Sequence, residues 1–273
     1  MTNSIKLFDA YNLRKTVLDM AYSGSAVHIG CAFSIIEILA VLYRHHLHYP
    51  ENNPNSPMRD YLVLSKGHGV MAQYACIKDL GWLHQDDFDH YFADGSHLKG
   101  LSDSHIQGLE VTSGSLGHGF SVGVGLALAA KLKKTDQKVF VLVGDGEINE
   151  GQIWEGALFA AHHQLKNFMV IVDENGFQAM GQTKEILNLS SIEKKFSSFG
   201  FDVISIDGHD ESALNAAIEA LIQRNPHQPK ALIAKTIKGK GVPFMENNNA
   251  WHYTRLNEVS YKNALSALKK ESK

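Results

Sequence analysis

Four apolar runs in the second half of the chain constrain its fold more than any other feature. They are "KVFVLV" (138–143), "NFMVIV" (167–172), "FDVISI" (201–206) and "PKALIA" (229–234). Each has strand length and is rich in Val, Ile or Phe, and the runs are continuous or nearly so, as in strands covered on both faces. Helix-patterned segments lie between them: "EGQIWEGALFAAHHQL" (150–165), and "DESALNAAIEALIQR" (210–224) with Asp210 as its N-cap. Continuous strands alternating with helices predict a parallel sheet. The expected class is therefore α/β, doubly wound and mostly parallel, in one domain spanning residues 1–273. At 44% apolar, 273 residues are enough to bury such a sheet.

The first half adds a short buried strand running into a glycine turn, "YLVLSKGHG" (61–69), a helix near 70–80 and an irregular polar stretch at 84–113. A helix begins at about Phe120, where Gly123, Gly125, Ala127 and Ala129 allow a neighbouring element to approach closely. In "SIIEILAVLY" (34–43), Ser34 and Glu37 have the S-x-x-E spacing of a capping box, which predicts a helix starting there. The segment 254–270 reads as a final amphipathic helix.

A net charge of -3 argues against a polyanion-binding surface, so no nucleic-acid partner is expected. Two cysteines, Cys31 and Cys76, make no disulfide framework and suit a reducing compartment. The N-terminus lacks the apolar run of a signal peptide, and "GFSVGVGLALAA" (119–130) is too short and glycine-rich to span a bilayer. These features predict a cytoplasmic protein without a membrane partner.

The chemistry gathers where strands end. "GDGEINEG" (144–151) follows the first of the four runs, and it is acidic and contains no lysine. Ligands bind open α/β sheets at the carboxyl ends of their strands. Asp145 stands just past one such end and Asn175, in "VDENG", just past the next. A carboxylate and an amide oxygen there suit Mg²⁺ or Ca²⁺, with phosphate oxygens and water completing the shell. The turn would then hold phosphate through a metal ion, with Gly144 and Gly146 letting the backbone come close. No G-x-x-x-x-G-K-[ST] is present, and "GHGFSVG" has neither the spacing nor the preceding strand of a dinucleotide site. The histidines of 45–48 and 162–163 read as surface or packing residues, and Trp154 and Phe159 as core or interface packing.

The stretch "GDGEINEGQIWEGALFAAHHQLKNFMVIVDENGFQAMG" (144–181) resembles the thiamine diphosphate motif, and more narrowly that of transketolase. The likeness extends along nearly the whole chain through "AVHIG" (26–30), "RDYLVLSKGHG" (59–69), "GLEVTSGSLGHG" (108–119), "DGHD" (207–210) and "KTIKGKGVPFMENNNAWH" (235–252). It implies thiamine diphosphate and a divalent metal held by Asp145, Asn175 and the Phe177 carbonyl. It implies that Gly146 lies against the diphosphate, that Gly114, Ser115 and Leu116 form a loop beside the cofactor, and that His68 and Lys238 hold the diphosphate end. His28 and His252 would face the reacting atoms as catalytic residues, and Glu150 would sit at a subunit contact. Glu147 receives no role.

The resemblance also implies a second, pyrimidine-binding domain. None of it is recognisable here, so the chain reads as the diphosphate-binding subunit of a split enzyme with a separately encoded C-terminal partner, two copies of each. The implied reaction moves a two-carbon ketol unit from a ketose or ketose phosphate to an aldose. Two departures bear on the substrate. In "GLSDSHIQGLE" (100–110) Leu101 stands where the family carries a histidine that recognises donor hydroxyls, with His105 as a possible substitute; Ile29 replaces a proline, and Cys31 falls near a donor-contacting position. Two alternative readings therefore stand beside ketol transfer: a thiamine enzyme subunit using another donor, such as an α-keto acid, and a non-catalytic cofactor-binding subunit.

Overall fold

The computed structural model describes residues 7–24 and 27–271; Ala26, the first residue of the "AVHIG" element, lies outside them. Five strands form one fully parallel sheet: β1 (Tyr61–Leu64), β2 (Val139–Gly144), β3 (Phe168–Glu174), β6 (Asp202–Asp207) and β7 (Lys230–Lys235). Their spatial order is β1-β2-β3-β7-β6. A two-stranded antiparallel hairpin, β4 (Phe177–Gln178) and β5 (Gly181–Gln182), follows β3. Four of the five sheet strands are the four apolar runs, and the fifth is the predicted strand at 61–64.

Alternate residues of each strand enter two separate cores. Val139, Val141 and Val143 of β2 and Val170 and Val172 of β3 pack with helices 118–133, 151–162 and 192–198. Phe140 and Leu142 of β2 and Met169 and Ile171 of β3 pack on the other face with helices 10–23, 29–33, 36–41, 70–79, 211–223 and 258–271. This is the doubly wound arrangement expected. Helix 118–133 starts two residues before Phe120 and lies against β1 and β2. Gly123 permits this approach, because a Cβ there would stand 2.3 Å from Val141 Cγ2; Gly125 instead faces open space. Asp210 caps helix 211–223 through Ser212 and Ala213.

The capping box at 34–37 does not form. Short helices cover Ile29–Phe33 and Ile36–Val41, and the chain continues into a wider π-helical turn, Leu42–His46. The Ser34 hydroxyl donates to Asp173 Oδ2 at 2.8 Å. Glu37 is buried against Arg14, 2.6 Å away, and His209. Both side chains have long-range partners, and these outcompete the local pattern.

Trp154 stacks on Phe199 and packs with Phe196, whereas Phe159 is largely exposed beside His163. Among the described residues no helix is long and apolar enough to cross a membrane.

Candidate functional site

The carboxyl ends of β1, β2 and β3 converge on a cleft of about 590 Å³. Gly144 pairs with Asp173 across β2 and β3, so the residues just beyond, Asp145 and Asn175, emerge side by side. Both line the cleft and both are buried. Asp145 accepts the Gly176 N–H at 2.6 Å and the Gly146 N–H at 2.8 Å. Among the described residues it forms no ion pair, and the nearby Lys66 offsets its burial only in part. Burial, and then the negative charge of Asp173, push its carboxyl up to about 7. A buried carboxylate that resists ionisation for want of a positive partner fits a hard divalent cation. Among the described residues no three His, Cys, Asp or Glu side chains cluster to hold a metal, so an ion here would need amide, backbone and phosphate oxygens. Asn175 is oriented from both ends: its Nδ2 donates to Asp173 Oδ2 at 2.8 Å, and its Oδ1 accepts the Phe177 N–H at 3.0 Å.

Sequence reasoning assigned no role to Asp173 or to Lys66, yet the two form a wholly buried ion pair at 2.5 Å. Ser34 and Thr236 also donate to Asp173, and Lys66 reaches the Cys31 carbonyl at 3.0 Å. Burial opposes the charge on each, but their mutual attraction outweighs it, holding Asp173 ionised and Lys66 protonated.

Glu147 is also more than a turn residue. Only 2% exposed, it accepts the Ser65 hydroxyl and the Gly117 N–H (2.7 Å) on Oε1 and the Gly144 N–H (3.1 Å) on Oε2. One carboxylate thus ties the end of β1, the 114–117 loop and the end of β2 together. Burial raises its pKa above the ordinary range. Gly146 has to be glycine for packing as well as for ligand approach, since a Cβ there would meet Gln178 Cβ at 2.6 Å.

Three imidazoles form the opposite wall. His28, His68 and His252 have ring centroids 5.0, 5.3 and 5.9 Å apart. Burial, reinforced by Lys238, lowers His28 to about 4 and His252 to about 3; burial and then Lys66 hold His68 well below its usual value. All three are neutral at pH 7. Lys238 does not line the cleft. It is fully buried behind His252, with Nζ 2.5 Å from His252 Nδ1 and 3.3 Å from Asn249 Oδ1. Burial lowers the Lys238 pKa, but in its ammonium form it can only donate, and Nδ1 then accepts with the ring proton on Nε2. The histidine of "DGHD" supports this segment: His209 Nε2 accepts the Ile237 N–H at 2.8 Å, and its Nδ1 lies 3.0 Å from Glu37.

The remaining predicted residues divide. Gly114, Leu116, Gly146, Phe177, Glu150 and Cys31 line the cleft, with Cys31 Sγ 3.8 Å from His252 Nδ1. Ser115 is exposed and is not part of the lining. Leu101 lines the cleft, but His105 does not replace a histidine there: its side chain is exposed and bound to Asp103 at 2.7 Å. Ile29 is buried in the core at the start of helix 29–33.

The sequence pattern described as "Transketolase, thiamine diphosphate binding domain" matches residues 8–271. The chain belongs to the transketolase family. It is 37% identical over 240 residues to an apulose-4-phosphate transketolase subunit of Phocaeicola vulgatus, covering 88% of this chain and 85% of that one. It is 38% identical over 260 residues to the 6-deoxy-6-sulfo-D-fructose transketolase subunit SqwG of a Clostridium species, covering 95% and 94%. The transketolase structure from Campylobacter jejuni superposes with a TM-score of 0.87 at 31% identity, over 95% of this chain but 42% of that one. This protein is thus a transketolase-like, ketol-transferring enzyme subunit with a thiamine diphosphate-binding domain.

Proposed function

We propose that the chain is the diphosphate-binding subunit of a split transketolase, working with a divalent metal, Mg²⁺ or Ca²⁺, and with a separately encoded pyrimidine-binding subunit. One observation carries this reading: a buried, cation-deficient Asp145 and an oriented Asn175 share a cleft with three neutral imidazoles. Asp145, Asn175 and the Phe177 carbonyl would hold the metal, and Gly114, Leu116, Gly146 and His68 the cofactor around it. Thiamine diphosphate, when bound, supplies the carbanion-stabilising chemistry.

The rest falls to the side chains. His252, its proton fixed on Nε2 by Lys238, donates a hydrogen bond to the donor sugar's carbonyl or hydroxyl oxygen. Neutral His28 takes or returns a hydroxyl proton near neutral pH. Lys238 acts through His252, as a positioning residue. The substrate is a ketose or ketose phosphate, consistent with the sugars named for the subunit relatives.

Two apolar surfaces support assembly. Met180, Ile186 and Leu187 line the cleft yet are 75, 40 and 57% exposed, a rim suited to cover by a partner subunit. Val122, Leu132, Leu158 and Phe159 form exposed apolar positions on the paired helices 118–133 and 151–162, beside Glu150, and suit pairing of two copies.

The test is reconstitution. The chain alone, with Mg²⁺ and thiamine diphosphate, gives no ketol transfer; addition of the pyrimidine-binding subunit restores it. Full turnover by the isolated chain refutes the split assignment, and failure of the assembled pair to bind thiamine diphosphate refutes the site.

A further inference from the structure

The hairpin that follows β3 has little to hold it. β4 and β5 pair over two residues each, and the turn between them, Ala179–Met180, is exposed at the mouth of the cleft. An isolated two-stranded hairpin is marginally stable in water. Among the described residues, the turn has one hydrogen bond to the rest of the chain: Asn249 Nδ2 donates to the Ala179 carbonyl at 3.0 Å. The oxygen of the same amide points to the opposite wall. Asn249 Oδ1 accepts from Lys238 Nζ at 3.3 Å, and Lys238 Nζ lies 2.5 Å from His252 Nδ1. Lys238 also stands over the Phe177 ring, 5.9 Å from its centre.

A side-chain amide suits both contacts, because it carries an acceptor and donors on one plane. An aspartate would offer oxygen to the ammonium but no hydrogen to the Ala179 carbonyl, and a leucine of similar shape would offer neither. The two contacts bear on different walls. Lys238 is wholly buried, which disfavours its charge; an amide oxygen beside it favours the ammonium form, in which the His252 proton stays on Nε2. The hairpin begins at Phe177, whose carbonyl is the proposed third metal ligand and whose N–H is bonded to Asn175 Oδ1. Asn249 itself opens the single helical turn 249–251 that runs directly into His252, and the Asn248 side chain caps that turn on the Ala250 N–H at 3.1 Å. The amide is therefore fixed together with the imidazole.

We propose that Asn249 is a positioning residue that ties the metal-side hairpin to the His252 wall, through Ala179 on one side and Lys238 on the other. The proposal rests on the ketol-transfer reading and on the metal site described above. Asn249 does not line the cleft and touches neither substrate nor cofactor; it acts through its two partners. Because one side chain holds both, a hairpin that loosens also releases Lys238, and the two walls of the cleft order together.

The experiment uses the chain assembled with its pyrimidine-binding partner and two variants, Asn249→Leu and Asn249→Asp. Leucine breaks both bonds: kcat falls about tenfold while the donor KM stays within about twofold, and Mg²⁺ affinity, measured by calorimetry with thiamine diphosphate, falls at least about threefold. Hydrogen exchange of the hairpin, followed by mass spectrometry on the complex without cofactor, speeds up about fivefold. Aspartate, which keeps the bond to Lys238, returns kcat to within about twofold of the parent but leaves the hairpin exchange fast. Parent-like values for Asn249→Leu overturn the proposal, as does an equal loss of kcat in both variants. So does a change in kcat without a change in hairpin exchange, or the reverse, in Asn249→Leu, and so does a lower melting temperature as the only effect. A parent complex that binds thiamine diphosphate yet transfers no ketol unit overturns the reading on which the proposal rests. The exchange comparison needs neither cofactor nor turnover, so its failure is the failure of the tether alone.

Discussion

Replacing Glu147 with alanine should unlock the floor of the cleft. The carboxylate is 2% exposed and accepts from the Ser65 hydroxyl and the backbone N–H groups of Gly117 and Gly144. Ser65 cannot simply turn away, because its Oγ also accepts the Phe120 N–H at 3.0 Å. Each buried donor left unpaired costs about 1–3 kcal/mol. The Ser65 hydroxyl can still rotate its proton, and water from the cleft can reach Gly144, so the net loss is about 3–5 kcal/mol rather than the full sum. For a chain of this size that lowers the melting temperature by roughly 8–15 °C. The cost of burying a charge acts the other way, and Glu147→Gln separates the two effects. Glutamine keeps the shape and one acceptor oxygen, removes the charge, and sets an N–H against one backbone N–H, for a loss of about 1–2 kcal/mol. Thermal and urea denaturation followed by circular dichroism give both values, and calorimetry with Mg²⁺ and thiamine diphosphate on the assembled complex shows whether the cleft opens. If alanine and glutamine variants are equally stable, or either is more stable than the parent, the three hydrogen bonds do not hold the cleft and the reasoning fails.

Further outcomes follow from the same geometry. Asp145→Ala removes the buried carboxylate, so calorimetry on the complex should show Mg²⁺-dependent cofactor binding reduced at least about a hundredfold, with a stability loss of about 1–3 kcal/mol for the Gly146 and Gly176 N–H groups left to water in the cleft. Lys238→Met frees His252 Nδ1 and removes a cation beside it. The pKa of His252 rises, the acid limb of the kcat/KM profile moves to higher pH, and kcat falls more than KM changes. The folded-state pKa of His28, about 4, lies below its unfolded value near 6.5, so the stability it contributes is present above pH 6.5 and is lost as pH falls toward 4. After allowance for partial exposure this amounts to about 1–2 kcal/mol, and melting curves of His28→Gln across that range should be correspondingly flatter.

The sheet and its site were largely legible because one physical requirement wrote both. A strand buried on two faces must be apolar throughout, so its end is marked by the first polar or glycine residue, and that is where Asp145 and Asn175 stand. What stayed hidden was long-range. Lys66 within "SKGHG" reads as a solvated lysine, and only the fold brings Asp173 to it from 107 residues away. Ser34 and Glu37 satisfy a local capping pattern, but Asp173, Arg14 and His209 take their side chains. Lys238 lies behind His252 and not on the cleft wall, and spacing along a loop does not distinguish a lining residue from the one behind it. For Glu147, the signal available was an acid one turn past a buried strand with no lysine nearby, and this is insufficient without knowing that Ser65 and Gly117 face it.

The pairing of β2 with β3 acts as a vernier. A slip of one residue would turn Val143 and Val172 from one core to the other, and the two cores forbid it. A slip of two residues would keep every side chain on its proper face, so hydrophobic packing alone would tolerate it. That slip, however, would carry Asp145 about 6.6 Å along the strand from Asn175, too far for both to reach one ion. Of the alignments the core accepts, only the observed one sets both residues for the ion proposed above, so capture of that ion would also be a check on strand registration during folding.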